Sequence, residues 1–159
     1  MFELYEAVNS IYCYPNSNIL VNKLNIHDNK KLATVERKLV LLKLYTLRQN
    51  KNIGNFDIHH FLSIHKFLFE DIYPFAGKIR SEDIAKDNFR FAKWEYIEDQ
   101  LRELFDKLAK DDLKNLSKKE ISKKLAYYMS ELNVLHPFRE GNGRTIREFI
   151  RQLAFVNRI

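Results

Sequence analysis

The chain has 159 residues, 45% of them hydrophobic and 30% charged, which describes one globular domain able to bury a core without a disulfide or a structural metal. Its one cysteine, Cys13, excludes an intramolecular disulfide framework and a cysteine-based zinc site. The 27 Lys and Arg outnumber the 21 Asp and Glu for a net charge of +6, but lysines alternate with acids along Lys107–Asp112 and Lys118–Glu120, as on a solvated face, so nucleic acid is not the expected partner.

In chain order, Glu3 and Glu6 stand where a secretory signal would carry positive charge. The segment Tyr12–Ser17 reads as a turn around Pro15. From Leu32 to about Gln49, Leu32, Val35, Leu39, Leu42 and Leu47 recur at helical spacing. The aliphatic run Leu39–Leu42 is far short of the ~18 residues of a membrane span, so no membrane partner is expected. Lys51–Asn55 is a turn, with Gly54 as the helix stop. Asp57 caps a second helix with Phe61, Ile64, His65, Leu68 and Phe69 inward, ending near Pro74.

Between Gly77 and Ala92 the helical period gives way to alternation. Lys78-Ile79-Arg80 and Phe89-Arg90-Phe91 read as two strands, with Asp87-Asn88 as turn formers. A lone ribbon is barely stable in water, so it leans on the helices and offers its free edge to an incoming peptide. Trp94 to about Lys110 is a third helix with Ile97, Leu101, Leu104, Phe105 and Leu108 inward. Ser117-Lys-Lys-Glu120 is a capping box and opens a fourth through Leu125, Met129, Leu132 and Leu135. A last helix starts near Gly143 and carries Ile146, Phe149, Ile150 and Leu153. The expected fold is all-α with one short β-hairpin, in a single domain over 1–159.

The chemistry concentrates in Leu135–Arg147. Two of only four glycines flank Asn142 directly before a helix, which leaves backbone amides ready for an anion and room for close approach. Asn142 tolerates left-handed geometry and adds an amide donor. Arg144 and Arg147 share one face of the first turn, where cations oppose the helix dipole by ~0.3–1 kcal/mol each; a bound polyanion would more than offset that. Glu140 is a hard oxygen donor of the kind Mg²⁺ takes together with phosphate oxygens. His136 supplies an imidazole, the side chain that most readily exchanges protons near neutral pH. Phe138 anchors the loop. A general base, a metal carboxylate, an amide cradle and two guanidinium clamps together make a nucleotide-transfer site. The histidines His59, His60 and His65 lack ligand spacing on one helical face and read as core or surface residues.

Residues 136–147 match, at every specified position, His-x-Phe-x-(Asp/Glu)-Gly-Asn-Gly-Arg-x-x-Arg, and the chain thereby resembles the Fic-domain family. Ile64–Arg80 with Asn88–Ala92 resembles the lead-in to the family's flap, and Tyr14–Ser17 with Leu20, Asn22, Lys23 and Leu24 the N-terminal element of its toxin and effector branch. The resemblance implies a mostly helical fold that transfers AMP from ATP to a Tyr, Thr or Ser hydroxyl of a target protein. It implies His136 as base, Glu140 on Mg²⁺, the backbone of Gly141, Asn142 and Gly143 around the α- and β-phosphates, Arg144 toward the β- and Arg147 toward the γ-phosphate. A flap around Ile79, Phe89, Arg90 and Phe91 (about 77–92) would dock the target. The same site serving UMP, phosphoryl or phosphocholine transfer, or a non-enzymatic partner-binding module, stays open at this point.

Members of the family are commonly restrained by a Ser/Thr-x-x-x-Glu helix whose Glu pairs with the second motif arginine, here Arg147. No Ser or Thr of this chain has Glu four positions on. Two readings remain: a separate antitoxin-like protein supplies that Glu, or a C-terminal inhibitory helix is missing. The implied location is the bacterial cytoplasm, or a host cytosol for a secreted effector.

Overall fold

The Asp28 carboxylate accepts a hydrogen bond from the Lys31 amide at 2.6 Å and opens α1, Asn29–Gln49. The computed structural model describes residues 10–50 and 53–159; Glu3, Glu6 and the Lys51–Asn52 half of the predicted turn lie outside them. Within α1 the buried positions are Leu32, Glu36 and Val40. Leu42, predicted inward, is 65% exposed, because the buried stripe advances by four and leaves position 42 on the far side. A carboxylate, Glu36, sits in the middle of that stripe.

Asp57 caps α2, Ile58–Phe69, by accepting from the His60 amide at 2.7 Å. All five predicted core positions of this helix are buried, but it stops at Phe69, ahead of Pro74. The helix α3, Trp94–Lys110, buries the five residues its periodicity assigns. After a short 3₁₀ turn at Leu113–Asn115, Ser117 and Glu120 form both halves of the capping box that opens α4, Lys118–Leu135. The last helix, α5, runs Asn142–Val156. It lies against α4 and α2, and Phe149 meets Phe61 and Phe105 edge-on with centroids 5.4 and 5.5 Å apart, a favoured aromatic geometry.

The ribbon is shorter than the alternation predicts. Strands β1, Ala85–Lys86, and β2, Phe89–Arg90, pair antiparallel with Ala85 opposite Arg90 and Lys86 opposite Phe89. The turn falls at Asp87-Asn88, with Asp87 at φ 53°. Lys78–Arg80 is not a strand: Ile79 packs half-buried against the core, and Arg80 turns inward to bond backbone instead. The N-terminal segment closes on itself through a Cys13–Leu20 bridge and joins the ribbon's base, where Ser10 Oγ donates to Glu82 at 2.6 Å. The mostly helical fold with one short hairpin is the one the sequence predicts. No described helix is long and apolar enough to cross a membrane.

Candidate active site

The loop between α4 and α5 is held from beneath. His136 ends α4 with φ 48° and ψ 60°, and Pro137 cannot continue the helix. Phe138 is fully buried and lies flat on His65, with centroids 3.7 Å apart and planes 6° apart. The Asn142 amide closes the loop: Oδ1 accepts from the Phe138 N–H at 2.8 Å and Nδ2 donates to the Phe138 carbonyl at 2.7 Å. Gly141 has φ 82°, and a Cβ there would come within 2.3 Å of the Phe69 ring. The buried ring alone thus requires glycine at 141, and the Asn142 side-chain amide is engaged within the loop. These are packing constraints that the motif alone does not show.

His65 links this loop to the ribbon's approach. The Gly77 N–H donates to its Nδ1 at 2.8 Å, so Nε2 carries the proton and donates to the Glu140 carbonyl at 2.9 Å. Burial pushes its pKa down to about 3, and the ring is neutral in the fold. The unfolded chain therefore binds the extra proton between about pH 6.5 and 3, and stability falls as pH drops through that window. We expect wild type to lose about 2 kcal/mol more than His65→Asn between pH 7 and 5, at ~1.4 kcal/mol per unit below the unfolded pKa. Urea unfolding at the two pH values checks it; parallel losses would be contrary to this account.

His136 itself is 4% exposed. Its Nδ1–H donates to the Asn133 carbonyl at 3.1 Å, which places the lone pair on Nε2. The ring stacks on Phe91, centroids 3.8 Å apart. Its backbone is fixed by Arg80, 2% exposed, whose Nε donates to the His136 carbonyl at 2.8 Å. The same guanidinium bonds the carbonyls of Glu82 at 2.6 Å, Ala92 at 2.5 Å and Leu135 at 3.3 Å. Burial pushes its pKa down to about 10, so a cation remains at the carbonyl end of α4, where the helix dipole favours one. Of the predicted docking residues, Phe91 is thus committed to the imidazole, whereas Phe89, 52% exposed, and Arg90 face outward. Arg90 and Phe91 line an open groove of about 760 Å³ with Asp83, Asn88 and Lys93.

The remaining charges meet at the start of α5. Glu140, 3% exposed, accepts at Oε1 from the Gly141 amide at 2.8 Å and from Arg144 at 3.2 Å. Arg144 also donates to Glu36 Oε1 at 2.5 Å and lies over the Phe69 ring, 4.8 Å from its centroid. Burial works against the Arg144 charge, but Glu36 and Glu140 hold its pKa above the ordinary value. Tyr73 donates from its hydroxyl to Glu36 Oε2. The dipole penalty inferred for Arg144 is therefore met by the protein's own carboxylates. Arg147 is different: it is exposed and forms no ion pair among the described residues.

No side chain caps α5, and its first backbone bond runs from Thr145 N–H to Gly141 O at 3.1 Å. The amides of Asn142, Gly143 and Arg144 thus have no acceptor among the described residues, as at any uncapped helix start. Of the three amides predicted to face phosphate, that of Gly141 donates to Glu140, whereas those of Asn142 and Gly143 have no acceptor among the described residues. Glu36, Tyr73, His65 and Arg80 are missing from the sequence-derived site. Glu36 is a charge inside the buried stripe of α1, a stripe that the leucines on its other face obscure in the sequence.

Among the described residues no three His, Cys, Asp or Glu side chains converge as a metal site. One buried carboxylate, Glu140, beside an uncapped helix start is nevertheless of the kind Mg²⁺ takes, since that ion usually binds one or two carboxylates and completes its shell with water and phosphate oxygens. The residues fit an ion that arrives with a nucleotide.

A profile of the Fic/DOC family matches residues 55–154. The chain is 44% identical over 151 residues to the protein adenylyltransferase VbhT of Bartonella schoenbuchensis, covering 94% of this chain but 32% of that protein. It is 35% identical to the protein of Sinorhizobium fredii named probable protein adenylyltransferase y4lH, over 94% of this chain and 78% of the other. A solved structure of BepC, a VirB-translocated effector of Bartonella tribocorum with bound AMPPNP, superposes with a TM-score of 0.86 at 27% identity, over 92% of this chain and 77% of that one. The chain spans about a third of VbhT.

Proposed function

This chain belongs to the Fic/DOC family, and from that premise we propose that it is a protein adenylyltransferase, moving AMP from ATP to a hydroxyl side chain of a target protein. One juxtaposition carries the reading. An imidazole with its lone pair on Nε2 stands at one end of a short loop whose other end is an uncapped helix start, under the exposed Arg147. The relatives' names favour AMP over other donors, and AMPPNP in the BepC structure is an ATP analogue.

Nε2 of His136 takes the proton as a Tyr, Thr or Ser oxygen attacks the α-phosphorus. The bond from that phosphorus to the bridging oxygen breaks, and pyrophosphate leaves with the electron pair. The amides of Asn142, Gly143 and Arg144 face the α- and β-phosphates, and Arg147 the γ-phosphate. These donors are in place beforehand, so they stabilise developing charge with little reorganisation. Glu140 would hold Mg²⁺, whose chemistry is to neutralise phosphate charge. The outward edge at Phe89 and Arg90 docks the target as an added strand. Arg147, which pairs with no carboxylate among the described residues, is also where an inhibitory Glu from a separate antitoxin-like protein would compete with the γ-phosphate. We place the reaction in the bacterial cytoplasm, or in a host cytosol if the chain is translocated.

The test is a bacterial lysate incubated with the purified protein, Mg²⁺ and labelled ATP. Label should enter a protein band from α-labelled but not from γ-labelled ATP. Transfer of the γ-label instead, or of neither, removes the reading.

A further inference from the structure

We propose that Glu36, oriented by Tyr73, is a positioning residue of the phosphate site: it draws Arg144 to the side of the loop and keeps Glu140 from being neutralised by it, so that a divalent cation can enter with the nucleotide. The inference rests on the adenylyltransferase reading and concerns residues outside the motif.

Glu36 lies on α1 and its side chain is 4% exposed. Both carboxylate oxygens are engaged, Oε1 by Arg144 at 2.5 Å and Oε2 by the Tyr73 hydroxyl. Burial and the neighbouring carboxylate push the Tyr73 phenol well up, so it stays a donor and holds the carboxylate in one orientation. Behind Arg144 lies the Phe69 ring, the ring that also occupies the space beside Gly141. The guanidinium is thereby confined between Glu36 and Glu140.

A purely structural account is the weaker one. Burying a carboxylate and a guanidinium stabilises a fold little or not at all relative to apolar side chains of similar volume. α1 is already tied to α5 by Arg48 and Glu148 at 3.0 Å, and to the end of α2 by Lys43 with Glu70 and Asp71 at 3.1 and 2.9 Å. What Glu36 changes is the charge count. With it, two carboxylates share one guanidinium and the cluster carries one negative charge in excess beside the cradle. Without it, Arg144 turns wholly to Glu140 and the cluster loses one negative charge that would attract a cation.

The sign of the effect therefore depends on the metal. Glu36→Gln removes a negative charge near the nucleotide, so binding of a fluorescent ATP analogue in EDTA should stay level or tighten. In Mg²⁺ the same variant should bind more weakly, and the gain in affinity that Mg²⁺ gives wild type should shrink about 10-fold, the scale seen when partners behind metal ligands are lost. Tyr73→Phe keeps the ring in the core and should shrink the gain about 3-fold on the same basis. If Glu36→Gln does not fold, Tyr73→Phe decides. Titrations of wild type and both variants, with and without Mg²⁺, read this without turnover. A variant that only melts earlier, with its Mg²⁺ gain unchanged, overturns the inference alone. A wild-type chain that binds no analogue, or binds it no better with Mg²⁺, overturns the functional reading or its metal part, and this inference with it.

Discussion

Replacing His136 by asparagine will lower AMP transfer by about 10²–10⁴-fold, the usual contribution of a positioned general base, and will leave nucleotide affinity within about 2-fold, since no phosphate contact is assigned to the imidazole. Asparagine is the informative replacement. Position 136 has φ 48°, which asparagine tolerates better than alanine, and its amide can still reach the Asn133 carbonyl that Nδ1 bonds at 3.1 Å. The fold should therefore survive and isolate the proton transfer. His136→Ala should lose as much activity and in addition melt earlier, having lost the stack on Phe91. Transfer above a tenth of wild type in His136→Asn, with labelled AMP as the readout, would mean that another group takes the proton.

The second large effect falls on stability. Arg80→Met should cost about 3–5 kcal/mol, the penalty for removing one partner of a buried charged arrangement. The side chain is almost fully buried, and its loss strands four carbonyls at once, from Glu82, Ala92, Leu135 and His136. Methionine fills comparable volume, so the loss measures hydrogen bonds rather than a cavity. Arg80→Lys should recover only part, because one ammonium cannot serve four acceptors in fork geometry. Urea midpoints of the three proteins decide; a loss under about 1 kcal/mol for Arg80→Met would show that water replaces the guanidinium. Transfer should fall with stability, because the ribbon's base and His136 share this one anchor.

These two residues mark what could be read from sequence. His136 declared itself by company, a dense motif of residues that chemistry needs together. Arg80 did not: the alternating stretch placed it in a strand, and only the carbonyls of Glu82, Ala92 and the end of α4 explain why it turns in. The helices were legible where periodicity and caps agreed, as in α3 with its five buried positions and in the Ser117 box. They were less so in α1, where leucines on both faces hide the true stripe. The ribbon's strands were half right, since β2 begins at Phe89, while its partner is Ala85–Lys86 and carries no alternation to notice. At the site, the motif named residues that lie together in the fold but not the partners they bond. Arg144 seemed to require an outside anion because its true counter-charge, Glu36, arrives from another helix.

Gly141 has a consequence for how variation in this protein is interpreted. Its missing side chain makes room for Phe69, and its amide is bound by Glu140; no reacting atom is assigned to it. A saturation screen will still score that position among the least permissive in the molecule, beside His136. Intolerance to change will then have two unlike origins in one short stretch, one architectural and one chemical. Only the architectural kind should yield to a compensating change at a second site, such as a smaller residue in place of the Phe69 ring.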